Sequence, residues 1–230
     1  MKLGRELEKK YLVPNWQATQ VRSHLDSLFP KDPEFPQANI YSLYFDNQHF
    51  SSLNEKINSD FNKRKIRIRW YEDCETKIKT EAYLEIKEKF GEHRHKIREK
   101  VNDNPPNILS SDLFSNQDFF FIGQYLKKYY PTQDLSLKPL LIIKYTRYRF
   151  LLPPSLTRIC FDFNIQVVAA NPQVFRQHFL ENKLEEAVFE LKGELRDLPP
   201  ELYFLFNKGI YKGSFSKYAR CIEKMINDEF

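Results

Sequence analysis

Cysteine is scarce in this chain. Cys74, Cys160 and Cys221 stand far apart and never as a CxxC pair, which leaves no disulfide framework and no thiolate zinc site, and makes a reducing cytoplasm the simplest compartment. The five histidines, at 24, 49, 93, 95 and 178, show no ligand spacing, and no Ser-His-Asp or Cys-His grouping is apparent. Glycine numbers only 6, and no Gly/Ser-rich or low-complexity linker interrupts the sequence, so one domain over residues 1–230 is expected. No window approaches the roughly 18 apolar residues of a membrane span, and the opening MKLGRELEKKYLV lacks an apolar signal core. Direct membrane insertion is not expected, which leaves docking to a membrane-protein partner as the available membrane role.

Charge is abundant and nearly balanced. Lys+Arg total 36 against Asp+Glu 31, a formal charge of +5 that by itself does not argue for nucleic acid. The distribution says more than the sum. In NKRKIRIRWYE, Lys65, Arg67 and Arg69 alternate with Ile66, Ile68 and Trp70, and in LEIKEK, Glu85, Lys87 and Lys89 stand against Leu84 and Ile86. A strand sends successive side chains to opposite faces, so one face is charged and the other apolar. For one strand this is an ordinary solvated face. Repetition along the chain, with 15% aromatics and little glycine, points to a β-rich protein that gathers its charged faces together.

Eight segments carry the strand pattern: 3–13, 39–46, 63–71, 81–89, 94–101, 140–151, 157–168 and 187–195. Gly91 marks a hairpin turn, and Pro105 with Pro106 marks the joint between two halves. Helices are expected after Pro14 and Asn15, over 111–130, around 174–184, and in two pieces of the tail from Leu198, with Ser216 at an N-cap position. The fold class is therefore α+β, a closed eight-stranded antiparallel β-barrel with a charged lumen and helices packed outside.

The lumen would collect the cations Lys10, Arg67, Arg69, Lys87, Lys96, Arg98, Arg147, Arg158, Lys192 and Lys217, and the carboxylates Glu6, Glu8, Glu85, Asp162 and Glu190. The cations outnumber the carboxylates, so such a lumen wants an anion of several charges. Arginine forks match phosphate oxygens, and the carboxylates suit Mg²⁺ or Mn²⁺, which bind oxygen and bridge phosphates. Phosphoryl transfer asks for little more, because positioning and charge neutralisation supply most of its catalysis. Nucleic acid is not expected, since the aromatic residues do not form a stacking platform on the basic face.

An ordered set of motifs also resembles a known family. Glu6-x-Glu8-x-Lys10-Tyr11, Tyr44-Phe45-Asp46, Arg64-Lys65-Ile66-Arg67-Ile68-Arg69, Leu84-Glu85-Ile86-Lys87, Tyr145-x-Arg147, Arg158-x-x-x-Asp162, Glu190-x-Lys192 and Phe215-Ser216-Lys217-Tyr218 cover nearly the whole chain. Together they resemble the VTC (vacuolar transporter chaperone) polyphosphate polymerase domain of the triphosphate tunnel metalloenzyme superfamily, in its bacterial stand-alone form. The resemblance implies a phosphotransferase that moves the γ-phosphate of ATP onto inorganic polyphosphate, with Mn²⁺ or Mg²⁺ as cofactor. It implies that Arg67, Arg69, Lys87, Arg147, Arg158 and Lys192 act in catalysis. Lys10, Lys96, Arg98, Tyr145, Ser216 and Lys217 would bind phosphate, and Glu190, with Glu6, Glu8 and Glu85, would hold metal. Glu-x-Glu-x-Lys in full is the signature of the superfamily's triphosphatases, so hydrolysis of tripolyphosphate or nucleotides stands as the alternative, beside a non-catalytic polyphosphate binder.

Overall fold

The computed structural model describes residues 7–91, 93–101, 114, 120–131, 136–153, 157–175, 183–193 and 197–227. The alternating segments form β1 (Leu7–Pro14), β2 (Gln37–Asp46), β3 (Asn62–Glu72), β4 (Ala82–Phe90), β5 (His93–Val101), β6 (Lys138–Leu152), β7 (Thr157–Ala170) and β8 (Glu186–Gly193). A two-residue strand, β9 (Tyr211–Lys212), adds to the edge of β1. All pair antiparallel in one sheet of order β5-β4-β3-β2-β6-β7-β8-β1-β9.

This corrects the expected closed eight-stranded barrel. Among the described residues the sheet has nine strands and is open, because β5 pairs only with β4, and β1 pairs with β8 and β9. Alternation decides which face a side chain takes; it carries no information about whether the end strands exchange backbone hydrogen bonds. Long side chains span this seam instead. Arg94 Nη1 on β5 donates to Glu8 Oε2 on β1 at 2.9 Å, so the sheet curls until its two halves are joined by an ion pair.

Two of the three apolar clusters lie on the convex side of the sheet, and the third lies on its concave face. On the convex side α1 (Asn15–Leu28) buries Ala18, Val21 and Leu25 with Phe150, Phe161 and Phe189. Helix α3 (Phe120–Tyr129) lays Ile122 and Leu126 over Ile68, Trp70 and Leu84. Asn15, expected as a cap, is the first helical residue of α1, and its amide donates to the Leu184 carbonyl. Of the helix expected over 111–130 the second half is present; its first half, most of the one expected around 174–184, and Glu6 lie outside the described residues.

The helices are not all outside. After a 3₁₀ turn at Pro200–Leu202 and the short α4 (Phe204–Asn207), the chain enters α5 (Lys217–Asn227), which packs on the concave face. Tyr218, Ile222 and Met225 meet Tyr44, Ile143, Tyr145 and Val188, residues that share their strand faces with the lumen charges. Each such buried side chain contributes about 1.5–3 kcal/mol. This apolar plug fixes the start of α5, and with it Ser216 and Lys217, inside the curl. Helix α2 (Ser51–Ile57) closes the same side, against β3 and α5.

Candidate active site

Strand register builds the site. Across β3, β4 and β5 the paired positions are Arg67, Glu85 and Arg98 in one row and Lys65, Lys87 and Lys96 in the next. Since alternate residues share a face, both rows look into the concavity. Glu85 is fully buried and sits among four cations. Arg67 Nε and Nη2 reach its Oε2 at 2.9 and 2.6 Å, Lys96 Nζ reaches Oε1 at 2.9 Å, and Arg69 and Arg98 each stand 3.8 Å away. Burial raises the Glu85 carboxyl, but Arg67, Arg69 and Lys96 outweigh it and hold the group well below the usual carboxylate range. Tyr44 Oη accepts from Arg67 Nη1 at 3.0 Å, and Ser42 Oγ accepts from Arg69 Nε at 3.2 Å.

The facing wall comes from β6, β7, β8 and β1. Arg147 holds Asp162 with both prongs, Nε to Oδ1 at 2.5 Å and Nη2 to Oδ2 at 2.6 Å, and Lys217 Nζ reaches the same Oδ2 at 2.6 Å. Glu190 lies 3.5 Å from Arg147, 3.3 Å from Lys192 and 3.4 Å from Lys10. Burial would raise both carboxyls; Arg147 and Lys217 around Asp162, and Lys217, Lys192 and Lys10 around Glu190, keep both ionised and depressed. Tyr145 joins the two walls. Its hydroxyl accepts from Arg69 Nη2 at 3.0 Å, and the Lys217 ammonium stands 4.6 Å from its ring centroid.

The middle row is different. Lys65 and Lys87 face each other across β3 and β4 with no carboxylate in ion-pair range among the described residues. Like charges directly opposite destabilise a sheet. Lys87 is pushed down to about 6, first by the Arg67 charge and then by burial; although its side chain reaches solvent, it stands deep in a cationic concavity. Lys65 is pushed down to about 7 by burial and then by Lys10 and Lys56, and its ammonium donates to Ser216 Oγ at 2.7 Å. An entering polyanion would relieve this repulsion.

Carboxylates for a metal are present on one wall. Glu8 on β1 and Glu190 on β8 share the Lys10 ammonium, 3.4 Å from an oxygen of each. Two carboxylates already bridged by one cation fit a hard divalent ion, which keeps waters and takes one or two carboxylates plus phosphate oxygens. Among the described residues no group of three or more His, Cys, Asp or Glu converges, so phosphates or water would supply the other ligands. Glu85, also expected among the metal residues, stands 2.6 Å from Arg67 and 2.9 Å from Lys96, so a divalent ion there would compete with those cations, as it would with Arg147, Lys192 and Lys10 at Glu190.

The structure brings Lys10, Arg67, Arg69, Lys87, Lys96, Arg98, Tyr145, Arg147, Glu190, Lys192, Ser216 and Lys217 to the concave face. Arg158 pairs in register with Lys192 on that face, is exposed, and has no ion pair among the described residues. Lys65 was absent from the expected site, although its parity with Arg67 and Arg69 in KIRIR was a usable signal. Asp46, part of the Tyr44-Phe45-Asp46 motif but given no role from the sequence, accepts from the Tyr218 hydroxyl at 2.6 Å and from the Ser52 and Leu53 backbone amides, tying α5 to α2.

Comparison with known proteins gives a consistent result. The VTC domain model matches residues 5–226. Among solved structures, a candidate adenylyl cyclase from Hippeastrum, HpAC1, described as having a dominant triphosphatase activity, is similar at TM-score 0.50 and 16% identity, covering 95% of this chain and 96% of that one. A candidate adenylate cyclase from Bacillus halodurans is similar at TM-score 0.54 and 12% identity, covering 92% and 93%. At these identities the likeness is one of fold. No curated protein matches the sequence.

Proposed function

The chain belongs to the VTC domain family, and from that premise we propose that it is a metal-dependent polyphosphate polymerase. It would transfer the γ-phosphate of ATP to the end of an inorganic polyphosphate chain inside the curled sheet. The observation that carries this reading is the surplus of cations on a concave face, with Lys65 facing Lys87 and no carboxylate between them. Such a surface favours a polyanion over any neutral ligand.

Arg67 and Arg69 would hold the triphosphate from one wall, each already aimed by Glu85, Tyr44 or Ser42. Arg147, Lys192 and Lys217 would hold it from the other, with Arg147 and Lys217 aimed by Asp162. Guanidinium and ammonium donors fixed before the substrate arrives need little reorganisation as charge shifts in transfer. A terminal oxygen of the acceptor chain bonds to the γ-phosphorus. The bond from that phosphorus to the β,γ-bridging oxygen breaks, and the bridging oxygen leaves on ADP. Glu190 and Glu8 would hold Mn²⁺ or Mg²⁺, which supplies further charge neutralisation on the phosphate oxygens.

A second reading has its own observation. Glu8 and Glu190 share the Lys10 ammonium, and a metal held by these two carboxylates would suit delivery of water to a triphosphate as well as it suits transfer. The discriminating experiment incubates the protein with ATP and Mn²⁺, resolves polyphosphate on a gel and measures free phosphate in the same tube. A ladder of chains with matching ADP supports the polymerase. Free phosphate without a ladder replaces it with a triphosphatase, and neither product leaves a binding module.

A further inference from the structure

The cationic surface continues past the site described above. One row beyond Lys65 and Lys87, Lys63 on β3 is paired in register with Lys89 on β4. Lys56 of α2 approaches from the side and donates to Ser214 Oγ at 2.7 Å, next to the Lys65 bond to Ser216 Oγ at 2.7 Å and the Lys10 bond to the Phe215 carbonyl at 3.1 Å. Lysines from three separate elements thus converge on one three-residue loop. The acids nearby are engaged: Glu55 accepts the Arg64 backbone N–H at 2.7 Å, Glu223 pairs with Arg220 at 3.4 Å, and Glu8 and Glu190 share Lys10. Among the described residues none of Lys56, Lys63, Lys65 and Lys89 has a carboxylate partner.

A solvated surface face would mix its signs, and directly opposed lysines cost stability. Two successive opposed pairs, Lys65 with Lys87 and Lys63 with Lys89, are useful to a chain that must hold repeated negative charge. Along β3 the positions 69, 67, 65 and 63 recur about every 6.8 Å, so some 20 Å separate Arg69 from Lys63. That run is longer than one triphosphate covers. A triphosphate clasped near Glu85 leaves the Lys63 row free, whereas a longer phosphate chain continues onto it.

We propose that Lys56, Lys63, Lys65 and Lys89, with the hydroxyls of Ser214 and Ser216, form a second phosphate subsite that holds the polyphosphate chain beyond the phosphates undergoing transfer. The proposal rests on the polyphosphate reading above. It assigns these lysines to chain retention: they select long inorganic phosphate chains over short ones and keep a growing product attached.

The test is the affinity of the whole chain for tripolyphosphate and for long-chain polyphosphate, measured without metal at one fixed salt concentration. Wild type is compared with Lys63→Ala/Lys89→Ala and with Lys63→Arg/Lys89→Arg. Loss of two charge-assisted contacts lowers the ratio of long-chain to tripolyphosphate affinity about tenfold or more in the alanine variant. The arginine variant restores the ratio to within about threefold of wild type, since charge is what the subsite supplies. An unchanged ratio, whether both affinities fall together or neither moves, overturns the subsite. The ratio is read on each folded variant, so a general loss of stability does not imitate the result. Because binding is measured without ATP, a wild type that makes no polyphosphate would refute the polymerase reading and leave this comparison intact.

Discussion

Glu85→Gln isolates the role of the most enclosed carboxylate in the site. The substitution keeps size and one acceptor oxygen but removes the charge that Arg67 meets at 2.6 Å and Lys96 at 2.9 Å, with Arg69 and Arg98 at 3.8 Å. Arg67 is itself buried, so it is left as an uncompensated interior cation. Removing one partner of a buried pair costs about 3–5 kcal/mol, and the retained acceptor places this change near about 3 kcal/mol. In a chain of this length that is a fall of about 6–12 °C in melting temperature. The assay is thermal unfolding with and without saturating tripolyphosphate. An anion bound beside Arg67 and Arg69 supplies the missing negative charge, so the gap between variant and wild type shrinks by half or more when tripolyphosphate is present. A variant that melts with the wild type, or a gap that tripolyphosphate leaves unchanged, would refute Glu85 as the counter-ion that holds the arginines ready for phosphate.

Arg67→Ala and Glu190→Gln should each lower ATP-dependent chain growth by about 100-fold or more, as loss of a fixed charge stabiliser does; near-normal activity in steady-state assays would remove that residue from the site. Chelation should stop chain growth while metal-free tripolyphosphate still binds in calorimetry, and joint loss would mean that the metal builds the binding site itself. Lys65 and Lys87 titrate near 7 and 6 when the lumen is empty, and a bound polyanion raises both. At pH 8 tripolyphosphate binding should therefore take up protons, seen as a dependence of calorimetric heat on buffer ionisation enthalpy; zero uptake or release would contradict the depressed lysines. The same shifts set the stability of the empty protein. Its lysine pKa values lie below the unfolded value of 10.5, so the unfolded state binds more protons and stability rises from about pH 6 into the alkaline range. Glu85, Asp162 and Glu190 are depressed, so their contribution is present above the unfolded carboxylate range and is lost as pH falls through and below it.

Much of the site was legible because a strand has a period of two. The parity of Lys65, Arg67 and Arg69, and of Glu85 and Lys87, gave the charged face before any register was known, and pairing then set those rows side by side. What alternation omits is the long-range part. Whether β5 meets β1 depends on the accumulated curl of nine strands, and here Arg94 and Glu8 span the seam. The placement of α5 was hidden for a related reason. Its apolar stripe, Tyr218, Ile222 and Met225, suits a helix on either face, and only the apolar patch of Tyr44, Ile143 and Val188 within the lumen selects the inner one. Lys56 gave no signal at all, since it lies on a seven-residue helix and meets Ser214 from 158 positions away. Glu85 shares its parity with the cations, and alternation alone does not reveal that it meets Arg67 at 2.6 Å.

A crystal structure with tripolyphosphate and Mn²⁺ tests the central claim most directly. The account predicts phosphates on the concave face between the Glu85 and Glu190 walls, in contact with Arg67, Arg69, Arg147 and Lys217, and Mn²⁺ on Glu190 and Glu8. Phosphates bound on the convex surface, with the concave cations untouched, would contradict it.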